Sequence, residues 1–271
     1  MANKKADNQW YGKGFEQDIE GVFNNKNDLS LEKIPNEKAK ILIKQAQSFI
    51  NQYNVLIEPM TSCIWTGQHT KNASGDLIIN GHSDEVKHVE SGQGTYLGTS
   101  WDIMRTRYNL DYFNVFNYLS DNGFYDKLIE YLGENKVNMN NISPVSTTLA
   151  SKIIKDKDFF TPYKKHDEEC RKKLNSLFCN SLKNIELRKI FLMDCVTKNI
   201  SNKHMPDNYI VYNYKKDKIT NIYTKKQLLE MTQNLDFTPT ELGGTIGFFR
   251  FQVGWQNGAA LCNPTVRIYI K

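Results

Sequence analysis

Apolar positions recur with two different periods along this chain. Phe15, Ile19, Val22 and Phe23 fall at i, i+4, i+7 and i+8, which places them on one face of a helix. Gly14 stands before that run and Asn24-Asn25 after it. Pro35-Asn36 is a helix start signal. Ala39, Leu42, Ile43, Ala46, Phe49, Ile50 and Tyr53 then form an unbroken stripe, and the spacing predicts a helix over 36–54. From residue 62 to 89 the period shortens. Ile64-Trp65 reads as a short strand, and Asp76-Leu77-Ile78-Ile79 is rich in β-formers. Asn80-Gly81 is a strong hairpin signal, because a type I′ turn needs two residues that tolerate positive φ. Glu85-Val86-Lys87-His88-Val89 supplies the return strand, and residues 91–98, with three glycines, read as a loop.

Helical spacing returns after Trp101. Phe113, Phe116 and Leu119 share a face, Asp121-Asn122-Gly123 breaks the run, and Tyr125, Leu128, Ile129 and Leu132 resume it. Residues 135–146 are polar and loop-like. A helix is predicted over 183–199 from Leu187, Ile190, Phe191, Asp194 and Cys195. Residues 209–212 and 220–223 read as strands, followed by a short helix near 225–232. At the C-terminus Phe249, Phe251 and Val253 alternate with Arg250 and Gln252, and Val266, Ile268 and Ile270 alternate with Arg267 and Tyr269, the pattern of half-buried strands. Helices and strands interleave, so the fold class is α/β.

The hairpin also carries candidate chemistry. With a two-residue turn at Asn80-Gly81, Ile79 faces His82, Leu77 faces Asp84, and Asp76 faces Glu85. Directly opposed residues have Cβ atoms about 4.5–5.5 Å apart, so two carboxylates meet on one face. Lys87, two residues past Glu85, points to that face as well. Carboxylates held this close repel unless a cation separates them or one is protonated. A pair of oxygen donors suits Mg²⁺, which keeps several waters for substrate oxygens. A lysine beside such an ion can orient the attacking water, which suits hydrolysis of a phosphodiester. The same pattern also occurs in surface hairpins with a cross-strand acid pair and an ordinary lysine.

Ser74-Gly75-Asp76-Leu77-Ile78-Ile79, followed by Glu85-Val86-Lys87-His88-Val89, resembles the active-site hairpin of the PD-(D/E)xK nuclease superfamily. The stretch from Gly92 to Ser100 is similar to the loop that follows Glu-x-Lys in some type II restriction endonucleases. Gly12-x-Gly14-Phe15-Glu16-x-x-Ile19 is similar to the family's first helix. The likeness spans roughly the first hundred residues and departs from the motif at Gly75, where the family has Pro. It implies a restriction-endonuclease-like mixed β-sheet core of order αβββαβ flanked by helices, with helix 183–199 and strand 209–212 as the last αβ pair. The whole chain, 1–271, would be a single nuclease domain, with 101–180 a mostly helical insertion and 240–271 a C-terminal β region. Asp76, Glu85 and the Val86 carbonyl would hold Mg²⁺, Lys87 would manage the water, and Glu16 would be a further catalytic acid, with Glu20 one turn away as its alternative. The implied activity is that of a Mg²⁺-dependent type II restriction endonuclease cutting double-stranded DNA at a short specific sequence. Its partner in function would be a DNA methyltransferase sharing the recognition site, and it would act as a monomer or as a homodimer on a two-fold symmetric site. A structure-selective repair or junction nuclease of the same superfamily, and a non-enzymatic nucleic-acid-binding protein, are the alternatives.

Base reading needs forked donors, and Arg250, Gln252, Gln256 and Asn257 supply them near the C-terminal strands. Arg105 and Arg107 are candidate phosphate contacts. Other motifs carry less. Pro206-Asp207 has no Glu-x-Lys after it and reads as a turn. Cys63, His69, His82 and His88 match none of the usual short zinc-ligand spacings. The glycines at 92–98 lack the Lys-Ser/Thr of a P-loop.

Composition sets bounds on these readings. The 271 residues carry 35 Lys/Arg and 30 Asp/Glu, a net charge of +5 that does not mark a basic nucleic-acid coat. Residues 151–230 alone hold 18 Lys/Arg against 10 Asp/Glu, so the positive charge is concentrated there. That is the charge of a phosphate-facing surface, and equally of a lysine-rich composition, since 29 of the 35 basic residues are Lys. The five cysteines are odd in number with no C-x-x-C pair, which points to a reducing compartment. No signal-like N-terminus is present, and no apolar run nears the ~18 residues that span a bilayer. The expected location is the cytoplasm of a bacterium, with no membrane partner.

Overall fold

The computed structural model describes residues 4–26, 36–66, 76–90, 94–111, 113, 117–118, 120–124, 126, 157–201, 203–255 and 264–271. The protein is a mixed α/β chain with two five-stranded sheets, and it divides into two compact units. The first comprises Met1–Thr95 and Val196–Met231, the second Tyr96–Cys195 and Thr232–Lys271.

The first unit opens with α1 (Lys4–Phe23) and α2 (Asn36–Leu56). Three antiparallel strands follow, β1 (Cys63–Trp65), β2 (Leu77–Ile79) and β3 (His82–Val89). The unit is completed by β5 (Asn208–Asn213), β6 (Lys218–Thr224) and α6 (Lys225–Met231). The sheet order is β1-β2-β3-β5-β6, and β5 runs parallel to β3. The apolar stripes of both helices are buried on one face of this sheet. Phe15, Ile19, Leu42, Ala46, Phe49 and Tyr53 pack with Leu77, Ile79, Val86, Ile210 and Tyr212. Residues of β3 alternate accordingly. Val86 belongs to this core, and His88 stacks on Phe15 at 4.3 Å between ring centroids. The hairpin turn has the two-residue form read from the sequence. Asn80 and Gly81 take φ of 52° and 85°, and Ile79 faces His82. Both residues adopt the positive φ that a type I′ turn requires.

The second unit contains β4 (Thr95–Ser100), α3 (Trp101–Tyr108), α4 (Lys157–Ser181) and α5 (Ile185–Val196). Strands β7 (Phe237–Thr240), β8 (Gly243–Ile246), β9 (Phe249–Trp255) and β10 (Pro264–Ile270) complete a sheet of order β4-β10-β9-β8-β7. Phe249, Phe251 and Val253 of β9 are buried while Arg250 and Gln252 are exposed, as alternation predicts. Phe178 of α4 lies 5.0 Å from Phe251 and 5.1 Å from Phe191 of α5, so aromatic edges join the helices to the sheet.

Five elements differ from the sequence reading. Residues 95–100, read within and just after a glycine loop, form the edge strand β4. Helix 183–199 ends at Val196, because Lys198 adopts a left-handed φ of 60°. The long helix α4 and the strands β7 and β8 were not assigned from the sequence. The resumed helical pattern after Asp126 and the polar residues 135–146 lie outside the described residues, except for Asp126 itself.

Candidate active site

Asp76 stands immediately before β2, and its N–H donates to the Asp84 carbonyl at 2.9 Å. Glu85 and Lys87 lie on β3, on the face opposite the core residue Val86. The register thus brings the three side chains together. Lys87 Nζ is 2.7 Å from Glu85 Oε1 and 3.6 Å from Asp76 Oδ2. Asp76 Oδ2 is buried and has no hydrogen-bond partner among the described residues. β2 pairs with β3 only as far as Leu77↔Asp84. The Val86 carbonyl leaves β3 on the same edge as the Asp84 carbonyl, beyond the last paired residue of β2.

Glu16 of α1 joins this group. It is 9% exposed, and burial followed by the charge of Asp76 pushes its carboxyl up to about 8, against the opposing pull of Lys87 and the Trp65 side chain. Glu20, one turn on, lies elsewhere: its Oε1 accepts from Lys26 Nζ at 2.5 Å and from Asn24 at 3.2 Å. Burial opposes the charge on Lys87, but Asp76, the Tyr209 phenol and Glu16 together outweigh it and hold its pKa above the usual value.

Two residues that sequence reasoning passed over complete the cluster. Lys198, 3% exposed, places its ammonium on Glu85 Oε2, so each oxygen of Glu85 meets a lysine. Burial pushes Lys198 down to about 7, with Asp76 opposing. Gly94 lies against Lys87 so closely that a Cβ there would sit 2.7 Å from Lys87 Cβ and 2.9 Å from the Tyr209 hydroxyl. Neither residue had a legible signal: Lys198 is one lysine in a lysine-rich segment, and Gly94 one of three glycines in an apparent loop.

The oxygen set suits Mg²⁺. Asp76 and Glu85 are hard donors, and Asp76 Oδ2 is buried without a hydrogen bond among the described residues. Among the described residues there is no grouping of three or more His, Cys, Asp and Glu side chains set to hold a metal. Asp76, Glu85 and the Val86 carbonyl could hold such an ion, with most positions left to water and substrate.

The neighbouring acids and histidines have structural partners. Asp84 is buried on the opposite face, where Tyr53 Oη donates to it at 2.9 Å and Asn208 Nδ2 at 2.8 Å. Asp207 accepts from the Ser83 N–H at 2.9 Å. His88 pairs with Gln45 at 2.9 Å, and His82 is exposed.

The residues proposed to meet DNA are spread over the second unit. Arg107 of α3 donates to both oxygens of Asp194 at 2.6 Å, and Arg105 lies on the same helix. Arg250 sits over the Tyr269 ring at 4.6 Å, and Gln252 pairs in register with Arg267. Gln256 and Asn257 lie outside the described residues. No described helix is long and apolar enough to cross a membrane. No known family model matches the chain, and no curated protein matches it.

Proposed function

We propose that this protein is a metal-dependent phosphodiesterase. The observation that carries the proposal is the convergence of Asp76, Glu85, Lys87 and Glu16 in one cluster, with Asp76 Oδ2 buried and lacking a hydrogen bond. Three antiparallel strands after α1 and a strand β5 parallel to β3 support the sheet of a restriction-endonuclease-type core, with α2 as an added helix, while α5, expected to supply the last helix of that core, packs within the second unit. On that basis the particular activity is cleavage of double-stranded DNA at a short specific sequence, as in a type II restriction endonuclease.

Asp76, Glu85 and the Val86 carbonyl would hold the cation. When bound, Mg²⁺ lowers the pKa of a coordinated water and stabilises charge on a phosphoryl oxygen. Lys87, charged at neutral pH, orients the water and neutralises developing negative charge beside the two carboxylates. Glu16, with its carboxyl near 8, is protonated at neutral pH and can hold a proton at the edge of the cluster. The exposed row of Arg250 and Gln252 on β9 supplies forked donors for base edges.

Digestion of a phage DNA with Mg²⁺, and in parallel with EDTA, tests this reading. Discrete Mg²⁺-dependent bands support sequence-specific cutting. A smear supports a nuclease without sequence preference, and intact DNA bound in a salt-dependent manner supports a binding protein instead.

A further inference from the structure

We infer that Lys198 is a positioning residue of the same cluster, an internal counter-cation that holds Glu85 in the cation-free protein and must leave it when a divalent cation binds. The inference rests on the proposal that Asp76 and Glu85 take such a cation.

The geometry of Glu85 is the starting point. Lys87 Nζ lies 2.7 Å from Oε1, and Lys198 Nζ contacts Oε2, so both carboxylate oxygens are already engaged. A divalent ion that binds Glu85 through either oxygen must displace an ammonium from it. Lys87 also neighbours Asp76 and would remain beside the acids. Lys198 contacts the Glu85 oxygen that Lys87 does not, so its departure opens that side of the carboxylate.

The backbone around Lys198 is built to aim this side chain. Lys198 has φ of 60°, a left-handed conformation unfavourable for a non-glycine residue. Its carbonyl accepts from the Ser201 N–H at 3.0 Å, from Ser201 Oγ at 3.1 Å and from the Lys203 N–H at 3.3 Å. Three hydrogen bonds therefore pin a strained residue between α5 and β5, and the strain directs a lysine into a buried carboxylate. A lysine serving only as a helix terminator would extend into solvent, whereas this side chain is 4% exposed.

The test measures Mn²⁺ binding by electron paramagnetic resonance on the intact protein without DNA. Lys198→Met removes the counter-cation, and Mn²⁺ should bind about tenfold more tightly. Lys198→Arg restores the charge and should bind Mn²⁺ as the wild type does. Unchanged or weaker Mn²⁺ binding in Lys198→Met overturns the inference, as does tighter binding in Lys198→Arg equal to that in Lys198→Met. Asp76→Asn and Glu85→Gln separate this from failure of the metal reading. If these acid variants lose Mn²⁺ while Lys198→Met is unmoved, the metal site stands and the role of Lys198 falls. If the acid variants bind Mn²⁺ as the wild type does, both fall.

Discussion

Replacing Gly94 with alanine perturbs the cluster through packing alone. The added Cβ would lie 2.7 Å from Lys87 Cβ and 2.8 Å from Lys87 Cγ, which is 0.7 Å short of the 3.4 Å where ordinary contact begins. Lys87 Cβ is fixed by the backbone of β3, so it cannot swing aside as a flexible side-chain end would. Relief requires the strand or the segment at Gly94 to move. Overpacking of this kind costs about 1–3 kcal/mol, which in a chain of this size lowers the melting temperature by about 5 °C. The shift also carries the Lys87 ammonium away from Asp76 and Glu85, and a displacement near 1 Å reduces a positioned reaction by about 100-fold. Calorimetry and a DNA-cutting time course on Gly94→Ala measure both effects. Gly98→Ala, where a Cβ meets nothing within 4 Å, is the control and should match the wild type. Wild-type melting together with wild-type cutting in Gly94→Ala would refute the packing of Gly94 on Lys87.

Three other predictions concern different parts of the molecule. Arg107→Ala leaves the buried Asp194 carboxylate with Tyr108 alone, so urea denaturation should show a loss of about 1–2 kcal/mol while the salt dependence of DNA binding stays unchanged. Asp18 is fully buried, neither of its oxygens has a hydrogen bond among the described residues, and burial pushes its carboxyl up to about 7 from 3.8. The unfolded chain ionises this group first, so its effect is absent below pH 4, grows as pH rises and is complete above pH 7. Asp18→Asn should therefore stabilise the protein by about 4 kcal/mol at pH 8 and by under about 1 kcal/mol at pH 4 in denaturant titrations. Arg250→Ala and Gln252→Ala, both exposed, should leave the melting temperature unchanged but relax the sequence preference of cutting, as read by sequencing the cleaved ends.

Periodicity exposed the first unit because its elements obey local rules. The α2 stripe from Ala39 to Tyr53 meets one sheet face, and Asn80-Gly81 fixes the register that joins Asp76, Glu85 and Lys87. The second unit was less legible for physical reasons. β8 is built on Gly243-Gly244, where a Cβ would strike the Phe251 carbonyl at 2.1 Å and the Phe251 ring at 2.6 Å, so no apolar alternation marks it. Pro239 in β7 argues against a strand until its place at the sheet edge is seen. Helix α4 hides its buried residues Cys170, Leu174 and Phe178 among charges, and Pro162 reads as a break. Lys198 could not be separated from its neighbours by composition, because its role follows from a left-handed turn and a contact with a strand far away in sequence.

The central claim is that the cluster around Asp76, Glu85 and Lys87 hydrolyses DNA with a divalent cation. The most direct measurement compares Mg²⁺-dependent cutting of one phage DNA by the wild type, Glu85→Ala and Lys87→Ala, each verified as folded by circular dichroism. The account predicts discrete bands from the wild type and a loss of about 1000-fold or more in both variants. Wild-type cutting by both variants would contradict it.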